Sequence, residues 1–153
     1  MSKPQYDYFV AGRWRNREAI RAIVDRLRDS GKSVYCFIEN QYEDKAGLVI
    51  DTSEGSDVES FMQKLETLED WETNPTFREI FETDMKNQRN SKEFILVFPA
   101  GLSAHMELGA AYGMGKKCYG IGQPDKYETL YLMMEKLFPD IEAFLGECQG
   151  VKS

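Results

Sequence analysis

Histidine and cysteine are scarce in this chain of 153 residues. There is one histidine, His105, and the three cysteines, Cys36, Cys118 and Cys148, lie far apart. Such a set builds neither a zinc site nor a disulfide framework, so we expect reduced cysteines in the core and neither a metal nor another cofactor. A single histidine also disfavours Ser-His-Asp and Cys-His catalysis. Carboxylates are therefore the expected acids, bases or nucleophiles.

Basic side chains are outnumbered, with 19 Lys and Arg against 26 Asp and Glu, and the formal net charge is -7. An acidic surface repels polyphosphates and anionic lipids, which disfavours nucleic acid and membranes as partners. No apolar run approaches the roughly 20 residues of a membrane span, and the first residues lack the pattern of a signal peptide. We expect a cytoplasmic protein with a single globular domain over residues 1–153.

Short apolar runs alternate with amphipathic segments along the chain. Strands are predicted at residues 6–11, 33–38, 93–99 and 117–122, and the sheet has five strands if residues 135–138 also form one. Helices are predicted from residue 16 to the Ser30-Gly31 stop, at 58–71, after the Asn74-Pro75 break, at 104–115 and at 140–148. This alternation predicts an α/β fold, a flavodoxin-like or Rossmann-like three-layer sandwich around a parallel sheet of four to five strands.

Two features of the middle of the chain point to a site. Residues 39–57 form an acidic, turn-rich segment too long for an ordinary connection, and such loops often cover sites. In the helix after Pro75, Asp84 lies on the same stripe as the apolar residues Phe77, Ile80 and Phe81. A carboxylate on an apolar stripe is costly unless it faces a polar cavity or a partner.

In a sheet of this kind, ligands bind at the carboxyl ends of the strands, near the switch in strand order. After the third strand, Gly101 allows a close backbone approach, and Ser103 is well placed as the N-cap of a helix that can hold an anion. Glu107 shares a face with Ser103 and, near the positive end of the helix, is expected to stay ionised. His105 points about 200° away from Glu107. The alternatives are a solvated glutamate, an ordinary serine cap and a structural histidine at the rim.

Positive charge is concentrated after the first strand, where Gly12 precedes Arg13, Arg15 and Arg17. Arginine forks suit phosphate or carboxylate recognition. The alternative is a solvated helix start in which these arginines pair with neighbours such as Glu18. The chain has no GxxxxGK[ST] motif, which argues against a P-loop NTPase.

Three sequence features, YFVAG near the start, Asp84, and FPAGLSAHMELGAAYGMGKK, follow in this order. Together they resemble the nucleoside 2-deoxyribosyltransferase superfamily, including its deoxynucleoside 5′-monophosphate N-glycosidases. The resemblance implies that Glu107 of MELG is the nucleophile and Asp84 the proton donor or hydrogen-bond partner. It also implies that Tyr8 of YFVAG contacts the nucleophile, and that neighbouring subunits of a homodimer or larger assembly complete each site.

The resemblance places the phosphate- or sugar-binding turn at Gly12 and Ser103, with Arg13 or Arg15 as a phosphate contact. We include Gly101 and His105 among the expected substrate-binding residues. The implied activity is cleavage or transfer at the N-glycosidic bond of nucleosides or their 5′-monophosphates, through a glycosyl ester on glutamate. Two alternatives stay open: a non-catalytic nucleotide-binding or sensing module, and a flavin or electron-transfer domain with the same sheet topology.

Overall fold

The computed structural model describes residues 5–40, 63 and 65–148. Within these residues the chain forms a five-stranded parallel sheet in the order β2-β1-β3-β4-β5. The strands are β1 (Tyr6–Ala11), β2 (Val34–Cys36), β3 (Ser91–Val97), β4 (Cys118–Ile121) and β5 (Lys136–Phe138). The helices are α1 (Arg17–Asp29), α2 (Pro75–Arg89), α3 (Leu102–Gly113) and α4 (Ile141–Cys148). The predicted flavodoxin-like or Rossmann-like α/β fold is confirmed.

The two faces of the sheet have separate apolar cores. On one face, α1 and α4 cover alternate residues of the central strands, including Tyr8, Val10 and Ile95. On the other face, α3 packs on the residues between them, including Phe9 and Leu96. Because parallel strands are buried on both sides, each reads as a continuous apolar run rather than an alternating pattern. The run therefore locates a strand without telling which side chain faces which helix.

Local sequence signals fix where the helices begin and end. The Asn74 side chain accepts hydrogen bonds from the backbone N–H groups of Thr76 and Phe77, and Pro75 occupies the first turn. An asparagine cap followed by proline is a favoured helix start, because it satisfies free N–H groups and presets the backbone angle. After the C-terminal end of α1, Gly31 adopts a positive φ of 90°, which ends the helix.

Several boundaries and burial predictions need correction. The second strand is only Val34–Cys36, because residues 37–39 turn into a short 3₁₀ helix. Cys36 and Cys118 are buried as expected, but Cys148 is exposed at the end of α4. The predicted loop at 39–57 lies almost wholly outside the described residues, as does most of the first half of the helix predicted at 58–71. In the described part of that segment, residues 63, 65 and 66 are helical, whereas residues 67–71 form turns, so the predicted end of the helix is wrong. None of the helices in the described parts of the chain is long and apolar enough to cross a membrane.

Candidate active site

The switch in strand order falls between β1 and β3. From β1 the chain continues to β2 at one edge of the sheet, and from β3 it continues to β4 and β5 toward the other edge. At their carboxyl ends the chain leaves through Gly12 on one side and through residues 98–101 on the other. A Cβ atom at Gly12 would lie 2.6 Å from Cδ1 of Ile20 and 3.3 Å from the carbonyl oxygen of Val97. Glycine is favoured there because the turn passes close to both α1 and β3.

A cavity of about 830 Å³ opens at this switch point, between α2, α3 and the turn after β1. Its volume lies within the range of small-molecule sites. Its charged lining residues are Arg13, Arg15, Arg78, Glu66, Glu72, Asp84 and Glu107. Its aromatic lining residues are Trp14, Phe37, Trp71, Phe77 and Phe81. The mixture suits a ligand with a planar apolar part and a polar part.

Asp84 reaches the cavity from α2, where the apolar stripe predicted from the sequence faces the cavity rather than the sheet. Its Oδ1 accepts a 2.7 Å hydrogen bond from the hydroxyl of Tyr35 on β2. Burial raises the pKa of Asp84 to about 6, and the hydrogen bond from Tyr35 opposes that rise by stabilising the charged form. The costly charge flagged in the sequence therefore has both a partner and a cavity.

Glu107 reaches the same cavity from α3. Burial raises its pKa to about 8, and the nearby charge of Asp84 adds to the rise. The expectation that Glu107 stays ionised at neutral pH is wrong for this reason. Because α3 begins at Leu102, Glu107 is also beyond the first turn, where the helix dipole acts most strongly. The two carboxyls form an interacting pair that holds protons near neutral pH.

The cavity brings together most of the residues predicted from the sequence. Gly12, Arg13, Arg15, Gly101 and Ser103 all line it along with the two carboxyls. Ser103 is not the N-cap, since Gly101 takes that position and Ser103 lies one residue inside the helix. A Cβ atom at Gly101 would meet only Cβ of Arg13, at 3.7 Å, so the backbone approach there is not unusually close.

Tyr8 is not brought to Glu107. It lies in the core between the sheet and α4, on the opposite face from α3, with its ring 5.7 Å from that of Phe144. Burial raises the pKa of the Tyr8 phenol further above its ordinary value, with a smaller contribution from the charge of Glu93. The tyrosine that contacts a carboxyl of the site is Tyr35, which donates its hydrogen bond to Asp84.

His105 also lies away from the two carboxyls. It lines a smaller cavity of about 180 Å³ that adjoins the turn after β3. Its Nδ1 donates to the carbonyl oxygen of Gly101 at 2.7 Å, and its Nε2 lies 2.8 Å from the hydroxyl of Tyr131. These bonds tie the start of α3 to the segment before β5, which is a structural role. Arg13 lines both cavities.

The arginines after β1 have different surroundings. Arg15 forms a 3.5 Å salt bridge with Glu66, and Arg17 lies 5.5 Å over the ring of Trp14. Neither contact is with Glu18, the neighbour with which the alternative interpretation of the sequence paired these arginines. Arg13 forms no ion pair with any residue that the structure describes. Of the three, Arg13 is the most available to an anionic ligand.

Comparison with known proteins places the fold. A 2-deoxyribosyltransferase from the psychrotolerant bacterium Bacillus psychrosaccharolyticus matches with a TM-score of 0.57 and 17% identity, over 88% of this chain and 87% of that chain. The TIR domain of the Toll-related receptor TRR-2 from Hydra magnipapillata matches with a TM-score of 0.51 and 15% identity, over 88% and 84%. The chain shares its fold with both. No family model and no curated protein matches the chain.

Two residues of this site were missed in the sequence. Tyr35 carries a hydroxyl on a buried strand, where such a group needs a partner. Gln88, one turn after Asp84, is fully buried and donates through Nε2 to the backbone carbonyl of Glu107 at 2.7 Å. An amide on the inner face of α2 was the available signal. Within the described residues, no group of three or more His, Cys, Asp or Glu side chains could hold a metal ion.

Proposed function

We propose that this protein cleaves or transfers the glycosyl group at the N-glycosidic bond of nucleosides or their 5′-monophosphates. The observation that carries the proposal is the pairing of Asp84 and Glu107. The two carboxyls come from different helices and enter one cavity at the switch point of the sheet, where the charge of Asp84 adds to the rise in the pKa of Glu107. The fold likeness to a 2-deoxyribosyltransferase supports the proposal.

A carboxyl pair suits this reaction because the transition state resembles a sugar cation. One carboxylate attacks the anomeric carbon while an acid protonates the leaving group. In the proposed reaction a carboxylate oxygen of Glu107 bonds to the anomeric carbon, and the electrons of the breaking bond pass to the base. Asp84, or a water beside it, supplies a proton to that base. Water or a second base then displaces Glu107, so that two displacements retain the configuration.

The raised pKa values decide where the proton starts. Glu107 has the higher pKa of the two and is therefore protonated first, while Asp84 is stabilised as a carboxylate by Tyr35. The proton must therefore pass from Glu107, through Asp84 or water, to the departing base. This transfer leaves Glu107 ionised when it attacks. The pair needs one shared proton, so activity is expected over a limited pH range.

The lining of the cavity indicates how a substrate would be held. The aromatic side chains of α2 and the turn before it, Phe77, Phe81 and Trp71, offer flat surfaces for a base. Arg13, which lines the cavity from the turn after β1, offers a fork of donors for a phosphate. We propose that nucleoside 5′-monophosphates are better substrates than nucleosides for this reason.

A homodimer or larger assembly belongs to the proposal. Leu102 and Met106 lie on the outer side of α3 at the mouth of the cavity and are 76% and 60% exposed. Large apolar side chains exposed at one place are typical of a contact surface. Light scattering with size-exclusion chromatography tests this: a dimer is expected, and a monomer at working concentration would count against it.

The experiment is incubation of the full chain with a panel of deoxy- and ribonucleosides and their monophosphates, with and without a second free base. Chromatography follows free base and new nucleoside. Base release that Glu107→Gln abolishes supports the proposal. Exchange between bases identifies a transferase, and release without exchange identifies a hydrolase. Inertness of the wild type across the panel would contradict the proposal.

A non-catalytic nucleotide-binding or sensing module is the second candidate. The observation that favours it is the raised pKa of Glu107, since a protonated carboxyl is not a nucleophile. Calorimetric titration with the same nucleotides separates the two. Binding without base release, unchanged in Glu107→Gln, would establish the second candidate.

A further inference from the structure

The hydroxyl of Tyr35 stands behind Asp84 and joins two hydrogen bonds. It donates to Oδ1 of Asp84 at 2.7 Å and accepts from Nδ2 of Asn40 at 2.6 Å. We propose that Tyr35, oriented by Asn40, is a positioning residue that holds the Asp84 carboxyl toward the cavity for proton transfer. This inference rests on the proposed function and adds a chain of residues that the reaction depends on without their touching the substrate.

Tyr35 is too deeply buried to contact a substrate in the cavity. Tyr35 is 6% exposed and does not line the cavity, whereas Asp84 does. Its ring packs 5.1 Å from the ring of Phe9 and 5.7 Å from the ring of Tyr6, which fixes it against the sheet. A ligand in the cavity therefore meets Asp84 and not Tyr35.

The direction of the hydrogen bonds follows from the groups involved. The Asn40 amide nitrogen has only protons to give, so the phenol oxygen accepts there. The phenol proton is then committed to Asp84. A carboxylate held at one oxygen by a fixed donor keeps its plane, and its second oxygen is left for a proton in transit. Hydrogen bonds to charged groups are stronger than neutral ones, so this is a substantial restraint.

The same bond affects how the pair shares its proton. Donation from Tyr35 favours the ionised form of Asp84 and so favours protonation of Glu107. Among the described residues, the groups that act on Asp84 are Tyr35 from β2 and Glu107 from α3, and the other charged side chains lining the same cavity are Arg13, Arg15, Arg78, Glu66 and Glu72. Loss of the phenol is expected to move the proton toward Asp84 before substrate binds.

The test compares Tyr35→Phe with Tyr119→Phe. Tyr119 packs against Phe144 in the core of the opposite face, so its variant controls for loss of a tyrosine hydroxyl from the sheet. We expect Tyr35→Phe to lower kcat about tenfold or more with KM within about twofold, because a bond to a charged group is lost outside the ligand site. The limb of the kcat profile that reports Asp84 should move to higher pH. Tyr119→Phe should change neither.

Asn40→Ala provides a second variant. It removes the donor that orients the Tyr35 hydroxyl but leaves the hydroxyl itself, so we expect the same shift of the pH limb, but a smaller one. A lowered kcat in Tyr35→Phe with an unmoved pH limb would overturn the positioning role. So would a rise in KM that accounts for the whole loss of kcat/KM. Equal effects of Tyr35→Phe and Tyr119→Phe would do the same.

Carbon-13 NMR of the carboxyl groups tests the inference independently of turnover. The full chain is labelled at Asp and Glu, and Asp84→Asn and Glu107→Gln assign the two signals. Tyr35→Phe should raise the pKa of Asp84 and lower that of Glu107, and unmoved titrations would overturn the inference. If the wild type releases no base while both titrations move as expected, the proposed function fails and the Tyr35–Asp84 coupling stands.

Discussion

The side-chain Nε2 of Gln88 donates a 2.7 Å hydrogen bond to the backbone carbonyl of Glu107. Gln88 lies one turn from Asp84 on the same face of α2, so this bond joins the helix of one carboxyl to the helix of the other. The two helices that carry the pair are therefore linked directly, close to both carboxyls. The other amide atom, Oε1, is buried and has no hydrogen-bond partner among the described residues.

Replacement of Gln88 by Met should separate stability from activity. The substitution removes a donor bond, which lowers stability, but also a buried oxygen that lacks a partner, which raises it, so the two effects oppose each other. We expect the free energy of unfolding in urea to change by less than about 1.5 kcal/mol, while base release falls as the tie between the helices is lost. Asn87→Met, on the neighbouring residue, is the control and should keep full activity. A large loss of stability without a specific loss of activity would contradict this account.

Neutralising Glu107 should stabilise the protein at alkaline pH. The pKa of Glu107 is raised on folding, so between about 4.5 and about 8 the folded state binds more protons than the unfolded state, and stability falls as pH rises. Glu107→Gln removes this dependence. We expect the variant to exceed the wild type by about 1 to 3 kcal/mol at pH 8 and to equal it near pH 4, from the free energy equivalent of a pKa difference.

Urea unfolding at pH 4, 6 and 8 provides the measurement. Asp84→Asn should show the same trend over a lower range, between about 3.8 and about 6, because its pKa is raised less. Parallel curves for the wild type and Glu107→Gln across the three pH values would show that Glu107 is not perturbed by burial.

The sequence was sufficient to predict the parallel sheet and to single out Asp84 and Glu107 as candidate site residues. It was insufficient to predict which face of the sheet each strand residue occupies. Apolar runs and glycine turns locate strands, and Asp84 stood out because it interrupts an apolar stripe. Tyr8 and Phe9 are equally apolar neighbours on β1, and only the packing of α3 and α4 shows which one faces the cavity side. The Tyr35–Asp84 bond spans 49 residues, so local pattern could not reveal it.

Two glycines should respond in opposite ways to alanine. Gly122 has a φ of 110°, and a Cβ atom there would lie 2.8 Å from the carbonyl oxygen of Phe98. Gly122→Ala should therefore lower stability by about 1 to 3 kcal/mol. Gly109 is inside α3, and nothing lies within 4 Å of its Cβ position. Gly109→Ala should raise stability by roughly 0.5 to 1 kcal/mol through helix propensity. Thermal unfolding of both variants checks the pair, and a stabilised Gly122→Ala would refute the described turn.

Arg13 should decide any preference for phosphorylated substrates. Arg13→Ala is expected to lower kcat/KM for 5′-monophosphates about tenfold or more and to leave nucleosides nearly unchanged, since a charge-assisted contact to phosphate is lost. Arg89→Ala, at the exposed end of α2 and away from the cavity lining, is the control. Equal losses on both substrate types would remove Arg13 from phosphate recognition.

The most direct test of the account is a search for the glycosyl ester on Glu107. The full chain is mixed with the best substrate of the panel, quenched in acid and digested, and peptide masses are measured. The account predicts a peptide containing Glu107 that is heavier by one glycosyl group, absent in Glu107→Gln and unaltered in Arg89→Ala. Base release by the wild type with no such adduct on Glu107, or with the adduct on another residue, would contradict it.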